Sequence, residues 1–458
     1  MRKTLPIGTY QYPNEQVSAR KLVNCTAEQA TPDSGNMLVL RRMPGIDEWA
    51  TTNTNARGSH VFNGVLYVVA GISLYKIASN GSTTNLGTIP GTEKVSMADN
   101  GTNLVIVTNP DAYYTDGTAI VTQITDSTFI GWGANDVAYM DGYFIFTSPN
   151  SQRAFTSGLN ALTFDALDFT SVDGSPDELV GLIVDHREII FLKEYSTELW
   201  YNAANPTGFP MSRSPNGYLE IGCASRDTAA KIGGSVYWLA NDGTVRQLNG
   251  NTPNIVSSVG ISRFITANTS AWGFAYTFED KHYYCLQTDD STIEYDIIGQ
   301  EWHNRSTFQK DTWECFDIRP AYGFQMAVNQ ANGKVGKLNS STRTEWGDVQ
   351  KIEWTYQEIS GEGARLFHDR FQIQVGTGVG ITSGQGAEPI IELEISDDGG
   401  KQFNHFDTRS LGKIGDYRDR VFWNRLGSSY ARVYRCAMTD PVDLIAFDTD
   451  VEVRRARF

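Results

Sequence analysis

Residues 63–70, NGVLYVVA, set a pattern that returns as DGYFIFTS at 141–148, GGSVYWLA at 233–240 and YGFQMAVN at 322–329. In each, a tight turn precedes an unbroken run of apolar, β-branched and aromatic side chains. Asn-Gly and Asp-Gly dipeptides reach positive φ at low cost and close hairpins whose twist matches the strands they join. First turns of this kind fall at Asn63-Gly64, Asn100-Gly101, Asp141-Gly142, His186-Arg187, Gly233-Gly234, Asp280-Lys281 and Tyr322-Gly323. Measured at the second turn residue, the spacings are 37, 41, 45, 47, 47 and 42. Second turns at Ser79-Asn80-Gly81, Asp116-Gly117, Asn241-Asp242-Gly243, Asp289-Asp290 and Asn332-Gly333 lead into further strands such as TVRQL and KVGKL. Each unit is therefore a three- or four-stranded antiparallel meander. Such a meander cannot bury both faces alone, whereas radial stacking of several does, and the result is a β-propeller. Residues 58–347 accommodate about seven such blades, or six with one short unit serving elsewhere. A pair of β-sandwiches is the competing architecture, but it would not sustain the period.

The flanks depart from that rhythm. Residues 1–57 are rich in Pro, Asn, Thr and Arg and read as an extended N-terminal arm. Residues 348–458 carry longer alternating strands, among them KIEWTYQEI, RFQIQVGTG, IIELEIS, DRVFWNRL and ARVYRCAMT, as expected of a separate β-sandwich-like domain. The arm is expected to pack on that domain. The fold class is all-β.

Composition agrees with this reading. The 458 residues include 10 Trp, 21 Tyr, 22 Phe and 43 Gly, the mixture of many strands joined by tight turns. Net charge is −15, which argues against a phosphate-binding surface dominating the whole chain. The N-terminal MRKTLPIGTYQYPNEQ has no apolar core of a secretory signal, and Val65 to Ile72 falls far short of the ~20 residues of a membrane-spanning helix. The scattered cysteines Cys25, Cys223, Cys285, Cys315 and Cys436 form no C-x-x-C pair, so buried reduced thiols are expected rather than disulfides or a zinc site.

Motifs that could carry chemistry read as structural. Ser396-Asp397-Asp398-Gly399-Gly400-Lys401-Gln402-Phe403 follows the Asp-box pattern S-x-D-x-G-x-T-W, with Gln402 for Thr and Phe403 for Trp. Ser396, Asp398, Gly400 and Phe403 would staple a hairpin: the carboxylate accepts turn N–H groups, glycine supplies the unusual φ, and the ring packs beneath. Sialidases carry several such boxes; one box outside the repeats points to a turn without catalysis. Gly376-Thr377-Gly378-Val379-Gly380 has the wrong spacing for a dinucleotide loop and no helix-forming sequence after it. Asp289, Asp290, Glu294 and Asp296 are candidate glycosidase acids only by abundance in a chain with 53 acidic residues. The six histidines show no H-E-x-x-H spacing, and no G-x-S-x-G elbow is present. Arg41-Arg42 and Arg454-Arg455 read as exposed strand ends. No catalytic residue, cofactor or metal is expected.

The C-terminal string from Thr377 to Val453 resembles the packaged-DNA stabilisation protein of short-tailed bacteriophages, also called the tail hub or nozzle. The likeness is carried by Thr377 to Gly380, the box Ser396 to Phe403, Leu411 to Gly415, Arg420 to Gly427, and Asp440-Pro441-Val442. In the arm, Leu22-Val23-Asn24 and Met43-Pro44-Gly45-Ile46 are similar to the family's opening segment. The resemblance implies a non-enzymatic virion protein, made in the host cytoplasm, that forms a homo-oligomeric ring, commonly a hexamer. Its implied partners are the portal adaptor (the head-to-tail connector ring), a tailspike or tail fibre, a tail needle, and genomic DNA passing without sequence-specific binding. No membrane is implied. Asn24, Pro44, Gly45, Arg420, Trp423 and Arg425 are the candidate assembly-interface positions. The alternative from the residues themselves is a sialidase-like propeller glycosidase or a non-catalytic carbohydrate-binding tail protein.

Overall fold

The computed structural model describes residues 2–5, 21–29, 38–266 and 270–456. Six meanders of four consecutive strands occupy 56–88, 96–123, 136–171, 179–219, 230–255 and 271–305, the first five as separate sheets and the sixth as one end of a larger sheet. A seventh takes three strands, Cys315–Ala321, Phe324–Asn329 and Lys334–Asn339, and receives its next strand, Gly45–Thr51, from the N-terminal side. First strands of successive sheets touch one another in order, through the short turn Arg226–Thr228 at the fifth, and the circle closes between Cys315–Ala321 and Ala56–Phe62. The expected count is about seven blades, or six with one short unit serving elsewhere; six units are built of consecutive strands, and the remaining one is completed by Gly45–Thr51.

The turns explain why the repeat was visible. Phe62 pairs with Val65 across Asn63 (φ 50°) and Gly64 (φ 75°), and Ala321 pairs with Phe324 across Tyr322 (φ 56°) and Gly323 (φ 79°). In the sixth blade the expected turn shifts by one residue. Phe278 pairs with Lys281, so Glu279 and Asp280 form the turn, and Lys281 is free to reach Asp296 at 3.0 Å. Second strands such as Leu104–Val107 and Ser235–Leu239 are buried on both faces by neighbouring blades, which is why they read as continuous apolar runs.

The arm differs from its expected role as a unit lying on the C-terminal domain. Arg2–Leu5, Cys25–Gln29 and Leu38–Arg42 do join the sandwich sheet built on Ile445–Arg455 and Leu366–Val375. Gly45–Thr51 belongs instead to the propeller, because an unpaired edge on Lys334–Asn339 would leave a row of backbone groups unsatisfied. Between these, Val23 pairs in parallel with Asn304 of the sixth blade and antiparallel with Glu353 of the sandwich. One ten-stranded sheet therefore runs from blade six into the second layer of the sandwich. The sandwich core is made jointly: Leu22, Cys25 and Leu40 of the arm pack with Trp354, Phe371, Trp423 and Tyr434. Each such side chain contributes roughly 1.5–3 kcal/mol on burial.

All five cysteines are free and buried, as expected, and burial pushes the Cys223 thiol up to about 12.

Candidate functional site

The Asp-box-like turn is closed by hydrogen bonds among its own residues. Ser396 Oγ donates to Asp398 Oδ1 at 2.6 Å, and the N–H groups of Lys401 and Gln402 donate to the same oxygen at 3.0 and 3.1 Å. The N–H of Gly400, at φ 92°, donates to Ser396 Oγ at 2.9 Å. These bonds, the Ser396 hydroxyl first, hold the Asp398 carboxyl below the usual carboxylate range. Phe403 is half-buried, and the Arg435 guanidinium lies 3.9 Å from its ring centroid. The Ser396 hydroxyl and the N–H groups of Gly400, Lys401 and Gln402 all bond within the turn, the geometry of a staple.

The candidate acids do not assemble into a glycosidase pair. Glu294 is fully buried and receives the Tyr276 hydroxyl at 2.9 Å with His303 Nε2 at 2.8 Å. Asp296 is buried against Lys281, while Asp289 and Asp290 stand exposed on a turn. Among the described residues no group of three or more His, Cys, Asp or Glu is placed to hold a metal ion. The glycine loop at 376–380 leads into turns, and a Cβ at Gly378 (φ 75°) would lie 2.7 Å from the Tyr417 ring.

The six candidate interface positions divide sharply. Arg420 and Arg425 are exposed beside the strand Val421–Asn424. Trp423, Asn24, Pro44 and Gly45 are buried within the chain, which corrects the expectation that they face a partner. Trp423 packs on Phe371 inside the sandwich, ring centroids 5.8 Å apart. Asn24, at φ 53°, clamps three segments. Its Nδ2 donates to the carbonyls of Ser306 and Lys351, each at 2.8 Å, and its own N–H donates to the Asn304 carbonyl at 2.9 Å. The Asn24 carbonyl accepts the Met43 N–H at 2.9 Å, and the Pro44 carbonyl accepts Gln350 Nε2 at 3.2 Å. The family-like positions of the arm thus weld propeller to sandwich.

Arg42 completes the weld and corrects the reading of Arg41-Arg42 as an exposed strand end, because Arg42 is 7% exposed. Its Nε donates to Gln350 Oε1 at 3.0 Å, Nη1 to the carbonyls of Asp440 at 2.6 Å and Val442 at 3.0 Å, and Nη2 to those of Arg343 at 3.0 Å and Gln350. Burial and the nearby Arg343 push its guanidinium down to about 10. The basic dipeptide was visible in the sequence; its depth depends on carbonyls about 300 or more residues away.

On the propeller axis the first strands of all seven blades surround a cavity of about 560 Å³. Its wall carries the pair His60–Asp99, 2.7 Å apart, and the Lys94 amine over the Trp272 ring. No sequence pattern singled out Lys94 or Trp272, since they meet only when the ring closes.

A composite-closed β-propeller joined through its own N-terminal arm to a β-sandwich is the class these observations define. The chain belongs to the family described as Bacteriophage P22 Gp10, whose β-propeller model matches residues 3–352 and whose β-sandwich model matches residues 352–454. It is a structural protein of the phage tail, in agreement with the resemblance read from its C-terminal motifs. No curated protein matches the chain. Among solved structures, the computationally designed protein Ika8 is 12% identical, covering 70% of this chain and 100% of that one at a TM-score of 0.40. PorZ, a surface component of the type-IX secretion system of Porphyromonas gingivalis, is 10% identical over 71% of this chain and 44% of its own, at a TM-score of 0.39. BBS1N, solved in complex with ARL6DN, is 7% identical over 74% of this chain and 98% of its own, at a TM-score of 0.38.

Proposed function

We propose that this protein is the tail hub, or nozzle, of a short-tailed phage, a non-enzymatic component of the virion. Copies form a ring, six in number, beneath the portal-adaptor complex. The ring narrows the DNA exit channel, stabilises the packaged genome and docks tailspikes or fibres and a needle. The observation that carries this reading is the family match across both domains. Two physical features support it. The bonds of Arg42 and Asn24 and the sheet shared by blade six and the sandwich make the two domains one stiff body, suited to bearing pressure from behind. With −15 charges per copy, a ring of six presents an acidic environment that repels the duplex and lets it slide.

Like-charge repulsion also opposes association of free copies, so the purified chain is monomeric at low salt and forms its ring on the adaptor, where neighbours are held close. Light scattering and electron microscopy of the protein, alone and with adaptor rings, test this. A sixfold ring seated on the adaptor is expected. Failure to bind the adaptor at any salt concentration, or turnover of chromogenic glycosides by the purified chain, overturns the reading.

A further inference from the structure

The axial cavity has a charge balance opposite to that of the chain. Each aspartate on its wall is already engaged. Asp317 accepts from Ser59 at 2.6 Å and Arg319 at 2.9 Å, and Asp99 faces His60 at 2.7 Å. Asp227 pairs with Arg226 at 3.0 Å, and Asp136 accepts the Ser96 hydroxyl at 2.5 Å and the Leu182 N–H at 2.9 Å. Lys231, also on the wall, pairs with Asp185 at 2.7 Å.

Two wall cations have no carboxylate in ion-pair range among the described residues. Arg57 donates instead to four backbone carbonyls, of Glu93, Gly71, Ile89 and Pro90, at 2.7 to 3.2 Å. Lys94 has not even that. Its amine is enclosed, meets no hydrogen-bond acceptor, and lies 3.5 Å from the Trp272 ring centroid, and the Trp272 indole N–H also lacks an acceptor. Leaving enclosed donors unmatched costs free energy, most of all for a cation. Both donors belong to side chains that line the cavity, the amine over the ring face and the N–H at the ring edge, and neither has an acceptor, which suits an oxoanion.

We propose that the axial cavity binds a small organic anion through a carboxylate or phosphate group, received by the Lys94 amine and the Trp272 indole N–H. The four-carbon stem of Lys94 carries the amine from the ring face into the cavity by rotation about its outer bonds. A volume of about 560 Å³ suits such a ligand, and the half-buried Tyr139 and Met97 give its apolar part a wall. Burial lowers the Lys94 amine to about 7, with Asp227 and Asp317 pulling it up and Arg226 pushing it further down. Binding therefore weakens as pH rises above 7, where the amine loses its proton.

Isothermal titration of the full-length chain with citrate and, separately, inorganic phosphate tests the proposal at pH 6.5 and pH 8.5. The expected result is one saturable site per chain for at least one titrant, at least tenfold weaker at the higher pH. Lys94→Met weakens it at least tenfold, Lys94→Arg keeps it within about threefold, and Trp272→Phe falls between. Citrate binding without phosphate binding assigns the carboxylate source, and the reverse assigns the phosphate source. Absence of saturable binding by both titrants overturns the proposal, as does equal affinity in wild type and Lys94→Met. Should Lys94→Met fail to fold, affinity independent of pH in the unaltered chain overturns it equally.

Discussion

Asn339 donates its side-chain amide to the Asp47 carboxylate at 2.7 Å, across 292 positions of sequence. The same carboxylate accepts the Thr342 hydroxyl at 2.6 Å, so the strand Gly45–Thr51 is held by side chains as well as by its ladder to Lys334–Asn339. This contact closes the propeller. A ring whose last blade borrows a strand from the other end of the chain cannot open by fraying at one terminus alone.

Gly45 sits where that strand enters. A Cβ at this position would lie 2.5 Å from the carbonyl oxygens of both Thr342 and Thr344. Backbone must then move, and Gly45→Ala is expected to destabilise the chain by about 1–3 kcal/mol, the usual range for overpacking. Urea midpoints of the variant and wild type measure it. An unchanged midpoint would show that the closing strand does not set stability.

Arg42 is the second joint. Removing its guanidinium takes a donor from the carbonyls of Val442 and Arg343 and from Gln350 Oε1, and leaves the Asp440 carbonyl with the Val442 N–H alone. Arg42→Ala should cost on the order of 3 kcal/mol. It should also split one calorimetric transition into two, as propeller and sandwich melt apart. A single transition at the wild-type temperature would contradict the weld.

The propeller was legible because its signal is local. Asn63-Gly64, Asp141-Gly142 and even His186-Arg187 (φ 46° and 60°) announce turns through residues that adopt or demand positive φ. The sandwich was legible for a similar reason, in the alternation of strands such as Leu366–Val375. The arm was not. Val23 and Asn24 find their partners at Asn304, Ser306 and Glu353, and no periodicity in residues 1–57 encodes pairings at that distance. A family likeness drew attention to Asn24, Pro44 and Gly45, yet likeness alone does not separate a contact between molecules from one within a chain. Burial does. Leu40 makes the same point from the core: it is fully buried among sandwich side chains, and Leu40→Ala should cost about 2–5 kcal/mol, read from the sandwich transition.

The turn at Ser396 to Phe403 gives a test with a pH signature. The native Asp398 carboxyl is held below its ordinary value by the Ser396 hydroxyl and the Gln402 and Lys401 N–H groups. A depressed carboxylate stabilises the fold above its unfolded pKa, about 3.9, and that contribution is lost as pH falls through the native value. Asp398→Ala should therefore melt below wild type at neutral pH, and the two curves should converge in acid. Parallel curves down to the lowest pH would show that the carboxylate does not hold the turn.

Lys94 makes the opposite prediction. Its amine titrates near 7 in the folded chain, lowered first by burial, against about 10.4 for an unperturbed lysine. Between those values the unfolded chain binds the extra proton, so native stability rises with pH. Below pH 7 both states carry the charge, and the full cost of enclosing it above the Trp272 ring falls on the fold. Lys94→Met has no proton to bind and keeps the apolar stem. Its advantage over wild type should be constant below pH 7, shrink through pH 8 and 9, and level off above pH 10. Urea midpoints at pH 6, 8 and 9.5 trace this without any ligand present. If the difference between the two proteins stays flat across that range, the amine is as accessible to water in the folded chain as in the unfolded one, and the enclosure of Lys94 on the propeller axis is wrong.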